Sequence, residues 1–369
     1  MPHLVYVTTS FKPGAIPNIF AAIIPFIIKK FRISIVVFEE KPEVYPQYTA
    51  FIEQGVNFYF LNKKKYNVVG TFLSLRRMLA SLKPDIIHSH LARADIITAL
   101  TNRGNIPHLA TFHSVPANFS WVTRIFLYFT DRWISHRTGV SETVISEFYR
   151  KPWLKSSHSV IYNPLNSEST SPQKGNPSSD IRNRFGIPHK APLLACVGRL
   201  VPAKGHETLL RAFALLLKEK PEAHLIIAGS GPLEKPLKKL AIKFDIQKNL
   251  RWAGFYTPAR DIFMAADVVV FPSRWEGMGL VPLEALLVGR PLVVSDLPVL
   301  RECIPEGEGV LFVSPNRPED LAHAMARMLN ASPTLPGEYF EKARRAIQER
   351  YSPQGIAERY IQLYVQCLR

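Results

Sequence analysis

Short, wholly apolar runs recur along this chain, separated by stretches in which apolar positions fall three or four residues apart. A run without an alternating polar face reads as a parallel strand buried on both sides, and helical spacing reads as a crossover helix. In the first half this pattern predicts strands over 4–9, 33–38, 57–61, 85–88, 108–112 and 138–140. Helices are expected over 16–28, up to about 81, over 94–102 and over about 118–136. Segment 16–28 is strongly apolar, holds Pro17 and Pro25, and is followed by Lys29 and Lys30. It is short for a membrane span and no secretory signal is convincing, so it reads as a buried helix, with a membrane-dipping role as the lesser alternative.

At 166–180 the pattern stops in NSESTSPQKGNPSSD, a composition that reads as a linker. The rhythm then restarts, with strands over 193–198, 225–228, 250–252, 268–271 and 292–295 and helices over 207–220, 233–243 and 258–265. The tail, 338–368, reads as mostly helix, broken near Ser352 and Pro353. Repeated alternation of strand and helix implies two α/β domains of parallel sheet, 1–170 and 171–350, with 351–369 as a closing helix. A chain of 369 residues, 47% hydrophobic, has enough material for two cores.

Charge adds a constraint. Lys and Arg total 46 against 30 Asp and Glu, a net +16. The excess is spread, with 19 against 10 in residues 1–170 and 27 against 20 in the remainder. Such a surface suits anionic lipid, nucleic acid or a phosphorylated substrate. Cys196, Cys303 and Cys367 show no pairing pattern, which fits a reducing compartment and no metal framework.

The richest chemistry lies in 267–287, DVVVFPSRWEGMGLVPLEALL. A buried strand over 268–271 ends at Pro272 and Ser273, a glycine turn follows, and a helix is expected to begin near Pro282. Strand, glycine turn and helix build ligand sites at the carboxyl edge of a doubly wound sheet. Glu276 falls in the turn and Glu284 in the expected first helical turn, where the macrodipole favours a negative charge. The N–H groups of Gly277, Met278 and Gly279 read as donors toward a ligand, and sugar hydroxyls want donors and acceptors alike. On these residues alone a solvated loop glutamate and a helix-start glutamate fit equally well.

A second candidate is 197–206, VGRLVPAKGH, where Gly198 lets backbone approach a ligand. The planar fork of Arg199 and the point charge of Lys204 suit a diphosphate, although two surface cations at a turn would read the same way. Gly14, in FKPGA after the first strand, marks an anion nest before a helix, a weak signal alone. His88 and His90 share a face if extended and read as packing residues, since no third metal ligand is nearby in sequence.

Residues 276–284, EGMGLVPLE, resemble the E-x7-E motif of retaining glycosyltransferases of family 4, and 198–205, GRLVPAKG, resemble that family's G-R-L-x-x-x-K-G motif. The resemblance implies a GT-B fold: α/β, two Rossmann-like doubly wound domains facing an interdomain cleft, acceptor-binding first and donor-binding second, with the last helix crossing back. It is strong from 198 to about 309 and looser in the first half, where the family binds acceptors. It assigns Arg199 and Lys204 to the donor diphosphate and leaving group, Glu276 to the sugar hydroxyls, and His113, in the segment Thr111-Phe112-His113, to a place beside the donor sugar. Gly198, Gly229 in the G-x-G-P turn, Gly254 and Phe255 near the base, Gly277, Met278, Gly279, Leu280 and the ribose-binding Glu284 complete the implied donor site. Of the two adjacent glycines usual after the first strand only Gly14 is present, followed by Ala15. Ser141 and Asn163 resemble further cleft-lining positions less specifically.

The implied function is a retaining, metal-independent transfer of sugar from a nucleotide-diphosphate sugar to a hydroxyl of a glycan or lipid-linked glycan. No cofactor beyond the donor is expected, no Asp-x-Asp pair occurs, and nucleic acid is not an expected partner. Cell-envelope polysaccharide or lipopolysaccharide synthesis in the cytoplasm, peripheral on an anionic membrane, is the setting by family analogy. The basic aromatic segments 121–137 and 150–155, with Lys63, Lys64, Lys65 and 235–243, favour such a surface, or else form solvated faces. Alternatives are a GT-B-like epimerase or phosphorylase, for which no pyridoxal lysine environment is recognisable, and a catalytically inactive membrane- or nucleic-acid-binding relative. A nicotinamide dehydrogenase is disfavoured because neither domain opens with G-x-G-x-x-G.

Overall fold

The computed structural model describes residues 1–12, 14–41, 46–64, 66–150, 154–165 and 177–369. Most of the linker stretch (166–176), Pro13, Lys65 and residues 151–153 of the second basic aromatic segment lie outside the described residues. The chain forms two compact units, Met1–Leu165 with Tyr351–Arg369, and Asn166–Arg350.

The first unit is built on β1 (His3–Thr8), β2 (Arg32–Val37), β3 (Asn57–Phe60), β4 (Ile86–His90), β5 (His108–Phe112), β6 (His136–Gly139) and β7 (Ser157–Val160). All pair in parallel, in the order β3-β2-β1-β4-β5-β6-β7. The order reverses between β1 and β4, where ligand crevices form at strand carboxyl ends, and there Thr8 pairs with His90. The crossovers include α1 (Ala15–Ile27), α2 (Pro46–Glu53), α3 (Val68–Leu82), α4 (Ala92–Asn102), α5 (Trp121–Thr130) and α6 (Glu142–Tyr149). The apolar segment is α1, with Ile16, Ile19, Phe20, Ile23, Ile24 and Ile27 buried and Ala21, Ala22, Pro25 and Phe26 partly exposed, so it is a helix with one side in the core.

The second unit contains α7 (Pro177–Arg184), β8 (Leu193–Val197), α8 (His206–Glu219), β9 (His224–Ala228), α9 (Glu234–Lys243), β10 (Leu250–Gly254), α10 (Ala259–Ala265), β11 (Val268–Phe271), α11 (Leu280–Leu287), β12 (Leu292–Ser295), α12 (Pro298–Cys303), β13 (Val310–Val313), α13 (Pro318–Ala331) and α14 (Gly337–Arg350). Its parallel sheet runs β10-β9-β8-β11-β12-β13, so its switch point lies between β8 and β11. One core binds strand residues Leu194, Val268, Val270 and Val293 to Phe213 of α8 and Met325 of α13. The last helix, α15 (Pro353–Cys367), belongs to the first unit and packs along α1.

Three expectations are corrected. The helix predicted over 118–136 is only α5: Ser120 caps its start, and at Asp131 the chain turns. The Asp131 carboxylate is buried and accepts from Arg137 at 2.6 Å and from the N–H groups of Lys155 and Ser156, which redirects His136 into β6. The linker reading extended too far, since α7 begins at Pro177. Arg182 anchors that helix by donating to the carbonyls of Ala191 and Ala265 and to the Asp267 carboxylate. Finally, α2, α6, α12, α13, β7 and β13 were not read; β7, SHSV, is a polar edge strand with none of the apolar run that marked the others.

Candidate active site

The site is assembled from the ends of β8 and β9. Gly198 N–H donates to Ala228 O at 2.9 Å, Leu200 N–H to Ser230 O at 2.9 Å, and Gly229 N–H to Gly254 O at 2.6 Å. A Cβ on Gly229 would stand 1.9 Å from the Gly198 carbonyl, so backbone lies directly on backbone here. Gly205 has φ +65°, and a Cβ there would stand 1.9 Å from Pro272 O. Arg274 N–H donates to Ala203 O at 2.7 Å. The turn after β8 is thereby fastened to the turn after β11, across the switch point.

That fastening brings Lys204 and Glu276 together. Lys204 Nζ lies 2.5 Å from Glu276 Oε1, and Ser273 Oγ donates to the same oxygen at 2.7 Å. Both charges are mostly buried. The Lys204 chain runs over Gly198, where any side chain would sit against it. Arg199 is exposed and, among the described residues, has no ion-pair partner. Two residues that sequence reasoning missed complete the cluster. Ser273 follows β11 after Pro272, a position at the strand's carboxyl edge that was the available signal. His206, buried at the start of α8, has its pKa pushed down to about 4 by burial and by neighbouring Lys204.

Glu284 requires a correction. The helix starts at Leu280, capped by Gly279 in the left-handed region, so Glu284 is its fifth residue and lies beyond the first turn. Burial, with no dipole needed, sets its behaviour by raising the carboxyl pKa to about 7. Met278 is buried at the turn before the helix, and Gly279 caps that helix. Gly254 ends β10 and Phe255 beside it is exposed.

His113 and Gly14 lie in the first unit. Gly14 caps α1 with extended backbone. His113 follows β5 and shares a 2.9 Å hydrogen bond, Nε2 to Nδ1, with His90. His88 and His90 do share a face, with ring centroids 4.2 Å apart. His88 bonds the Tyr364 hydroxyl through Nδ1 and Thr111 Oγ1 through Nε2, both at 2.7 Å. Burial pushes the His113 pKa down to about 4 and holds His88 and His90 well below the usual imidazole range, so all three are neutral hydrogen-bonding groups. Ser141 and Asn163 are buried, and Ser141 caps α6 by accepting from Val144 N–H.

The family described as Glycosyl transferases group 1 matches residues 177–351, and Glycosyltransferase Family 4 matches 27–169. An uncharacterised glycosyltransferase of Methanocaldococcus jannaschii is 32% identical over 209 residues, 56% of this chain and 53% of that one. The UDP-Gal:α-D-GlcNAc-diphosphoundecaprenol α-1,3-galactosyltransferase of Escherichia coli is 27% identical over 272 residues, 68% of each chain. The match spans about half the length of the curated relatives that share 32% identity. The crystal structure of Anabaena HepE with UDP-glucose superposes with a TM-score of 0.85 at 18% identity, covering 99% of this chain and all of that one.

Proposed function

We propose that this chain, which belongs to glycosyltransferase family 4 and has the GT-B fold, moves a sugar from a nucleotide-diphosphate sugar to a hydroxyl of a glycan or lipid-linked glycan, with retention at the anomeric carbon. The Lys204–Glu276 pair at the switch point of the second sheet carries this reading. As the bond from the anomeric carbon to the diphosphate breaks, negative charge grows on the departing oxygen. Lys204 and the unpaired Arg199 meet that charge with a point cation and a planar fork, the electrostatic role that is often the largest catalytic contribution. Two protein cations make a divalent metal unnecessary. Glu276, held by Lys204 and Ser273, aims Lys204 and offers its remaining acceptor capacity to sugar hydroxyls. Glu284 accepts from the ribose hydroxyls. The acceptor oxygen attacks the face from which the diphosphate leaves, and its proton passes to the departing phosphate oxygen. Neutral His113 contributes a hydrogen bond and no charge.

The name of the Escherichia coli relative supports a lipid-linked acceptor and an envelope role, and the Anabaena complex supports a uridine-diphosphate sugar as donor. A panel of nucleotide sugars tested with EDTA present should raise the melting temperature with one donor class, and Arg199→Ala should abolish the shift. Lys204→Ala and Glu276→Ala should each lower turnover at least about tenfold, on the order of 1.4 kcal/mol of barrier. Product analysis by NMR should show the donor's anomeric configuration. Inversion, a requirement for metal, or full turnover in both variants would overturn the reading.

A further inference from the structure

A different surface is left unexplained by sugar transfer. Five large apolar side chains of α5 stand in solvent: Trp121 (68% exposed), Val122, Ile125 (53%), Phe126 and Phe129 (45%). At 100° per residue they fill one continuous arc of the helix. The opposite side holds buried Leu127 and Thr130, and the helix packs there on α4. Beside the exposed arc opens a groove of about 630 Å³, lined by Trp121, Ile125 and Tyr128, with Arg124, Arg150 and one acidic residue, Glu147.

Cations surround this face. The Arg132 guanidinium lies 4.4 Å over the Phe129 ring. Among the described residues, Arg124, Arg132 and Arg150 have no acidic partner. Helix α4 packs on both α3 and α5, so the three share a layer on one side of the sheet. On α3, Val69 and Leu73 are exposed, with Arg76 and Arg77 beside them. Residues 61–133 carry ten Lys or Arg against three Asp, and of those aspartates Asp95 and Asp131 are buried.

We infer that the outer face of the α3–α4–α5 layer, centred on α5, docks this protein onto a bilayer containing anionic phospholipid. The α5 arc enters the interface and the flanking arginines pair with lipid phosphates. The chemistry fits, because an amphipathic helix with aromatic residues on one side and cations at its margins lies in the headgroup region. Spanning is excluded for α5 by its ten residues, about 15 Å. A second copy of the chain is a poorer occupant. Five half-exposed side chains offer on the order of 500 Å² where a stable complex needs roughly 800 Å² per partner. A two-fold contact would also set Arg124 and Arg132 near their own copies. The inference does not depend on the sugar-transfer reading, since lipid binding and transfer are read separately.

The test is co-sedimentation of the full chain with vesicles of phosphatidylcholine, alone or mixed with phosphatidylglycerol. Binding to the mixed vesicles, weakening as salt rises, is expected. Trp121→Ser with Ile125→Ser and Phe129→Ser should lower that binding at least about tenfold while leaving the melting temperature and donor binding unchanged, since those side chains are exposed. Arg76→Ala, Arg77→Ala and Arg132→Ala together should lower it and flatten the salt dependence. Hydrogen exchange on the unaltered protein should show vesicle-dependent protection within residues 121–133. Equal binding by the apolar-face variant, or no protection there, would overturn the proposal. So would a vesicle-independent dimer that the same variant dissolves, because the face would then join two copies.

Discussion

Gly205 and Gly254 have the same positive φ, +65°, and differ in what surrounds them. A Cβ on Gly254 would meet nothing within 4 Å, whereas one on Gly205 would meet the Pro272 carbonyl at 1.9 Å. Gly254→Ala should therefore lose only the left-handed penalty, about 1–2 kcal/mol. Gly205→Ala must also push apart the two turns that hold Lys204 against Glu276. Urea unfolding should show the larger loss for Gly205→Ala, and its donor affinity should fall more than about tenfold. Equal losses would show that the two turns do not depend on that contact. The close Lys204–Glu276 pair is thus a product of backbone approach, with Ser273 holding the shared carboxylate oxygen.

At the scale of elements, α15 shows how a helix remote in sequence completes a sheet. Its Tyr364 hydroxyl bonds the Tyr6 hydroxyl on β1 at 2.9 Å and His88 Nδ1 on β4 at 2.7 Å, across the switch point of the first unit. Burial disfavours ionising either tyrosine and keeps His88 neutral, so the chain is held by hydrogen bonds between uncharged groups. Tyr364→Phe keeps the ring packing against Phe31 but strands a buried imidazole nitrogen and a buried hydroxyl. The expected loss is about 1–3 kcal/mol in urea unfolding followed by a first-unit probe. A change below a few tenths would mean that another donor or water takes over.

For the whole molecule, pH should act on the two units unequally. In the first, burial is the leading cause that lowers the pKa of His3, His88, His90, His108, His113 and His136. The unfolded chain takes protons at these sites near pH 6.5 while the fold refuses them, so their contribution is lost as pH falls below about 6.5. Asp95, raised to about 7 chiefly by burial, has the opposite sign: its contribution is present at low pH and lost as pH rises through 7. The second unit sets His206 and His224 against Glu284, also raised to about 7. Six imidazoles against one carboxylate outweigh two against one. Calorimetry at pH 7.5 and 5.5 should show a larger fall in the transition that hydrogen exchange assigns to the first unit. Equal shifts would refute this.

Much of this architecture was legible along the chain because buried parallel strands advertise themselves. The runs at β5, β11 and β12 were read at their observed bounds, and the glycine-punctuated turns after β8 and β11 marked the site. Polar β7 and the interruption of the aromatic helix at Asp131 were not legible, since a long-range carboxylate contact, absent from any local pattern, makes the turn. Residue type and spacing by themselves indicated two α/β halves of parallel sheet and singled out Arg199, Lys204, Glu276 and Glu284 as candidates, whose roles came from the family resemblance. Only tertiary structure decided that Lys204 and Glu276 meet, that Ser273 joins them, that burial governs Glu284, that His113 leans on His90, and that one face of α5 stays uncovered. The physical reason is common to all five. Local sequence sets which backbone conformations are cheap, but burial, charge pairing and exposed apolar surface depend on what distant segments bring alongside.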